Sequence, residues 1–201
     1  MRTRIATRKH LLVKRGDSGG GNGPVGVIWF NQRIMERSPD ERGPAAGVEA
    51  SAAFRVRGFQ PPDDLAGWLR LQNEAFGRPR PWTEGDFLRE LASRADWSPE
   101  RLLVVEQSEP PRVGKPDGNL LASLYLELPA TDPVVRLHWL AVHPKRRRQG
   151  LGRLLVGHAT AWGRRAQREW LVAETLQAWP EAMGFYQALG FTAGLPGQRP
   201  A

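Results

Sequence analysis

The 201-residue chain contains no cysteine. That absence excludes disulfides, thiolate–metal sites and cysteine nucleophiles together. The four histidines, His10, His138, His143 and His158, stand at no metal-ligand spacing, so no metal is expected. No apolar run approaches the roughly 20 residues of a membrane-spanning helix. The one short apolar patch near the N-terminus, Val25 to Phe30, is too brief for a secretory signal. A cytoplasmic protein with no membrane partner is expected. The length suits one domain with a sizeable core and is hardly enough for two.

Negative charge is in deficit, leaving a net +8, and the deficit is uneven. Residues 1–47 hold nine Lys/Arg against four acids, whereas residues 48–201 hold twenty against seventeen. Much of the later excess lies in one cluster, Lys145–Arg148. A duplex-binding surface spreads its charge over a wider face. This distribution argues against a nucleic-acid partner and for local phosphate binding beside a basic leader.

Residues 1–51 have the composition of that leader: a basic, acid-free start, a Gly/Ser/Asn-rich stretch from Ser18 to Gly23, and a Gly/Ala/Pro stretch. Such a segment buries too little apolar surface to offset its ordering entropy, so it is expected to be disordered, with Met35 an alternative start. The domain is expected over residues 52–196, followed by a 197–201 tail. Phe54–Arg57 alternates as a first strand. Asp63 or Asp64 can cap a helix bearing Leu65, Trp68, Leu69, Leu71 and Phe76. Thr83 opens a second helix with Phe87, Leu88 and Leu91 inward. Strands follow at 101–107, 119–128 and 134–142, the second with Leu120, Leu124, Leu126 and Leu128 on one face. A long helix spans 150–167, then a strand 169–174, a helix 180–189 and a short strand 191–193. The order is that of a mixed α/β domain.

The segment from Val134 to Arg153 carries most of the functional signal. A β-branched strand ends at Pro144 and hands over to the basic turn Lys145–Gln149, then Gly150 and Gly152 open a helix whose Leu151, Leu154, Leu155 and Trp162 share a face. The first turn of a helix offers unpaired N–H groups and the positive end of the macrodipole. Glycine lets an anion approach the backbone closely. Backbone groups of Gln149, Gly150, Leu151, Gly152 and Arg153 can thus cradle a phosphate, with Arg147, Arg148 or Arg153 adding charge.

The string WLAVHPKRRRQGLGRLL resembles the acetyl-CoA motif of the GNAT-type N-acetyltransferase superfamily, whose (Arg/Gln)-x-x-Gly-x-(Gly/Ala) core is met by Arg147, Gly150 and Gly152. EAMGFYQALGF is similar to the closing helix and strand of the same family, with Ala182, Phe185, Tyr186, Gly190 and Phe191 in register. The resemblance covers about Phe54 to Ala193. It implies a mixed, mostly antiparallel sheet with helices on both faces, splayed at the central strands. It also implies acetyl-CoA as co-substrate, with the backbone of Leu140, Ala141 and Val142 holding the pantetheine arm. Trp179 stands where the family often has Asn. Arg136 and His138 stand on the strand where many members carry an acid.

Acetyl transfer to an amine needs a held pyrophosphate, a placed thioester, a base for the amine and an acid for the leaving thiolate. Tyr186 is the candidate acid; a Tyr there also serves simply by packing on the sheet. His138 is the first candidate base, since strand alternation sets it on one face with Leu140 and Val142. Glu127 and Glu174, each near a strand end, are rivals, and a water chain is a third option. The expected reaction is transfer of acetyl to a primary amine, on a small molecule or a peptide, by direct attack in a ternary complex. The protein acting so is a monomer or homodimer. A dinucleotide-binding reading fails because Leu155 stands where that fingerprint has a third glycine. A non-catalytic module of the same fold, binding coenzyme A or RNA, remains the alternative.

Overall fold

The computed structural model describes residues 27–34, 53–108 and 120–194. The basic start, the glycine-rich stretch, Met35, nearly all of the 108–118 turn and the 197–201 tail lie outside the described residues. The chain runs β1 (Val27–Arg33), β2 (Phe54–Gly58), α1 (Leu65–Phe76), α2 (Glu84–Phe87, continued by a π turn over Leu88–Ala92), β3 (Leu102–Gln107), β4 (Ala122–Glu127), β5 (Val134–Val142), α3 (Leu151–Arg165), β6 (Trp170–Leu176), α4 (Pro180–Ala188) and β7 (Thr192–Gly194). These strands form one sheet in the order β2-β3-β4-β5-β6-β1-β7. Every neighbouring pair is antiparallel except β5 and β6.

Strand alternation divides the core into two layers. Leu103, Val105, Leu124, Leu126, Val135 and Leu137 pack with the buried face of α3 (Leu151, Leu155, Ala159) and with Tyr186 of α4. Leu102, Val104, Tyr125 and Ala141 pack on the other side with Trp68 and Leu71 of α1 and with Phe87 and Leu91. The second helix starts on a reciprocal cap, Thr83 with Asp86, which satisfies two otherwise orphaned donors. Leu88 points outward at 51% exposure, contrary to its expected burial, because Phe87 and Leu91 already occupy the inner side of this widened turn. Leu120 joins the α1 layer rather than the face of Leu124, since regular β4 pairing begins only at Ala122.

β1 departs from the expected leader. Val27–Arg33 pairs along its whole length with β6 and also with β7. Phe30 is 1% exposed in the core, and Ile34 fills the space that glycine leaves at Gly163 of α3. The apolar patch is small, but its burial is supplied by β6, α3 and α4. Those partners are more than 120 residues away in sequence, so local composition gives no sign of them.

Candidate active site

β5 and β6 pair only from Val134–Leu137 to Trp170–Ala173. Beyond that point they part, while β5 continues against β4 as far as Val142. The β5 edge from His138 to Val142 therefore faces an opening in the sheet. At its inner end Trp139 adopts φ 50, and the β4–β5 register shifts between Ser123 and Tyr125. A bulky residue in the left-handed region is a strained outlier. Gln72 of α1, wholly buried, supports the bulge by donating to Trp139 O at 3.3 Å and Ser123 Oγ at 3.0 Å.

The bulge reassigns faces. Leu140 and Val142 pack with the α3 layer, whereas the His138 ring lies against Tyr125 and Trp139 in the α1 layer. The expected common face of His138, Leu140 and Val142 is thus corrected: an extra residue in a strand resets its period-two alternation.

The basic turn is rigid on one side and open on the other. His143 Nδ1 accepts from Lys145 N at 3.2 Å, while its Nε2 meets Glu74 at 2.9 Å. Arg147 donates to Ala75 O at 3.0 Å, so this turn is fastened to the end of α1. Arg147 N donates weakly to Pro144 O at 3.4 Å, and the next N–H of the segment with a backbone acceptor is that of Leu154, to Gly150 O at 2.9 Å. Among the described residues, the N–H groups from Arg148 to Arg153 have no backbone acceptor. Arg148 at φ 64 and Gly150 at φ 81 turn successive N–H groups toward one side, the geometry of an anion-binding concavity. Gly152 has a further reason to be glycine: a Cβ there would stand 3.0 Å from the Phe185 ring.

Phe185 brings α4 onto this helix start, and Tyr186 follows it inward. Tyr186 is 5% exposed, stacked on Phe30 at 5.5 Å and in ring contact with Phe185 and Phe191. Burial pushes its hydroxyl pKa well up, so it stays protonated.

On the other face, Glu127 collects a histidine and two arginines: His138 Nε2 at 2.6 Å, Arg94 at 2.7 Å and Arg136 at 3.3 Å. Burial pushes the Glu127 pKa up, but the bond and charge of His138, with Arg94 and Arg136, outweigh it and hold the value at about 2. An ionised Glu127 accepts from Nε2–H of His138, which leaves Nδ1 as the other ring nitrogen, free of this bond. Glu174 differs. It stands just past the last β5–β6 pair, level with His138, and is exposed to the opening. Partial burial raises its pKa despite the lowering influence of His138 and Arg136.

The expected cofactor residues, Leu140–Val142 and Arg147–Arg153, are therefore contiguous along one lip of the opening. Tyr186 lies on the α3 side, and His138, Glu127 and Glu174 on the α1 side. Gln72, Arg94 and the Trp139 bulge were not expected as parts of the site. The one signal for Gln72 is a polar residue on the apolar stripe of α1. Among the described residues no group of three or more His, Asp or Glu could hold a metal ion, and no helix is long and apolar enough to cross a membrane.

Residues 99–193 match the family model of the GNAT acetyltransferase domain. No curated protein matches the sequence. Among solved structures, the chain is similar to a GCN5-related N-acetyltransferase from Sphaerobacter thermophilus (17% identity, TM-score 0.62, 84% of this chain and 48% of the other). It is also similar to a GNAT-family protein from Desulfovibrio desulfuricans (27% identity, TM-score 0.53, 71% of this chain and 87% of the other). A third likeness is to the N-acetylglutamate synthase of Neisseria gonorrhoeae, solved with coenzyme A and L-arginine (16% identity, TM-score 0.53, 75% of this chain and 30% of the other). The chain thus spans about half of the first of these proteins and under a third of the last. With its sheet opening, its basic turn and its closing helix, the segment 99–193 is that of a GNAT acetyltransferase domain.

Proposed function

We propose that the protein transfers an acetyl group from acetyl-CoA to a primary amine by direct attack within a ternary complex. One observation carries the reading: a free β5 edge and a row of unpaired N–H groups form one lip of an opening that joins the Tyr186 side of the sheet to the Glu174 side. Donor and acceptor then enter from opposite faces and meet between β5 and β6. Holding them there makes the attack effectively unimolecular. The amide groups of the pantetheine arm pair with the backbone at Leu140, Ala141 and Val142. The pyrophosphate sits on the N–H groups from Gln149 to Arg153.

The amine nitrogen forms a bond to the thioester carbonyl carbon and the carbon–sulfur bond breaks. The proton lost by the amine goes to Glu174, or to His138 Nδ1 through water. The thiolate is stabilised by the Tyr186 hydroxyl, which donates its hydrogen bond more than it gives up its proton because its pKa is high. Glu127 serves by orienting His138; a carboxylate with a pKa of about 2 is a poor base near neutrality. A cytoplasmic location fits a chain without cysteine.

The test is release of free coenzyme A by the full chain with varied acetyl-CoA and amine. Intersecting double-reciprocal lines support direct transfer, and parallel lines sink it. Tight acetyl-CoA binding without turnover on any amine would favour the non-catalytic alternative.

A further inference from the structure

The loop between α1 and α2 carries Arg78 and Arg80, and Arg89 follows on the π turn beyond α2. Arg80 and Arg89 pair with one buried carboxylate, Asp86, whose charge Arg78 feels without bonding to it. Arg80 binds both Asp86 oxygens at 2.8 and 3.0 Å, Arg89 pairs with Oδ1, and Thr83 donates to Oδ2 at 2.9 Å from its N–H and 2.9 Å from its hydroxyl. That carboxylate is fully used. Arg78 has no carboxylate partner among the described residues. Its guanidinium instead lies over the rings of Trp82 (4.3 Å) and Phe76 (5.0 Å), and its Nε is buried with no acceptor. A desolvated guanidinium edge left without an acceptor is costly.

The rings that hold Arg78 reach both lips of the opening. Trp82 meets Trp139, the bulge residue of β5, at 6.2 Å, and Trp139 meets the His138 ring at 5.4 Å. Phe76 meets Trp179, at the start of α4, in a tilted contact at 5.8 Å. Trp179 is 38% exposed, unusual for so large a ring. Arg78 is thus a stacked, forked cation with no carboxylate bonded to it among the described residues, set in an aromatic wall on the acceptor side of the sheet. A planar fork of this kind matches a carboxylate with two parallel hydrogen bonds.

We propose that Arg78 is a specificity residue that binds a carboxylate on the acceptor, so that the substrate is an amine carrying a free carboxylate, of the amino-acid class. The proposal rests on the acetyltransferase reading above. The acceptor carboxylate completes the hydrogen bonding of the Arg78 edge while its amino group lies toward His138 and Glu174. The aromatic wall of Phe76, Trp82 and Trp179 packs the intervening carbon chain.

The probes are the twenty α-amino acids with β-alanine and γ-aminobutyrate, each paired with its carboxamide. Binding to the full chain is read by tryptophan fluorescence, with and without coenzyme A, and turnover by coenzyme A release. At least one free carboxylate is expected to bind and react with a kcat/KM roughly ten- to a hundredfold above its carboxamide. Arg78→Gln removes that discrimination through KM while acetyl-CoA affinity stays unchanged. Arg78→Lys, which keeps the charge and loses the fork, retains only part of it. Equal use of acid and amide, or no carboxylate bound at all beside normal acetyl-CoA binding, overturns the proposal alone. Loss of acetyl-CoA affinity in Arg78→Gln assigns the arginine to the donor and overturns it too. Carboxylate binding that needs Arg78 in a protein that fails to bind acetyl-CoA supports the anion site and sinks the acetyltransferase reading instead.

Discussion

At the scale of single residues, Glu127 and Glu174 make opposite contributions to stability. The folded pKa of Glu127 is held at about 2, below the ordinary glutamate value of 4.5. Its contribution is fully present above about pH 4.5 and is lost as pH falls toward 2. Glu127→Gln is expected to destabilise by on the order of 2–3 kcal/mol at neutral pH, with the gap to the parent closing in acid melts. Glu174 has a raised folded pKa, so its ionisation above about pH 4.5 disfavours the folded state. Glu174→Gln should therefore melt higher than the parent at pH 7 and equally at pH 4, while losing roughly a hundredfold in kcat if it is the base. A melting curve and a rate at each pH check both signs. Tyr186→Phe should leave acetyl-CoA binding intact and lower kcat by about a hundredfold; turnover at the parent rate would remove the tyrosine from the chemistry.

At the scale of elements, two contacts between elements set the site. Gly152 lets the edge of the Phe185 ring approach the start of α3, so Gly152→Asp displaces α4 and adds negative charge to the cradle at once. Acetyl-CoA binding should be abolished, which isothermal titration reads directly. Gly152→Ala separates the two effects: it crowds Phe185 without adding charge, and a partial loss of affinity assigns the remainder to electrostatics. β1 is the other case. A chain starting at residue 27 should fold as the parent does, whereas one starting at Met35 exposes the β6 edge and the pocket of Phe30. Burial of one Phe in a core is worth about 3–5 kcal/mol. The shorter chain should melt tens of degrees lower or fail to fold, as circular dichroism would show.

For the whole molecule, the sharpest expectation concerns ligand selectivity. At about a hundred times its dissociation constant, a ligand of the native state stabilises by roughly 2.7 kcal/mol, or about 5–10 °C at this size. Acetyl-CoA should give that shift, and NAD and ATP should not. The comparison needs a chain that retains residues 27–34, because β1 lies between β6 and β7 and a truncated domain would confuse instability with lack of binding.

Local patterns in the sequence determined most of the elements and the donor half of the site. The alternation of Phe54–Arg57, the cap at Thr83, the basic turn and the pair Gly150 and Gly152 are each specified by neighbours a few residues away. The tertiary structure decided three other things. It placed Val27–Arg33 in the sheet, since the apolar surface that buries Phe30 comes from β6, α3 and α4. It put His138 on the α1 face, since the Trp139 bulge reverses the alternation and is held by Gln72 from another element. It also sorted Glu127 from Glu174. The two carboxylates are alike in sequence, and their protonation follows from what the fold brings against each: two arginines and the His138 ring for Glu127, and for Glu174 an opening in the sheet.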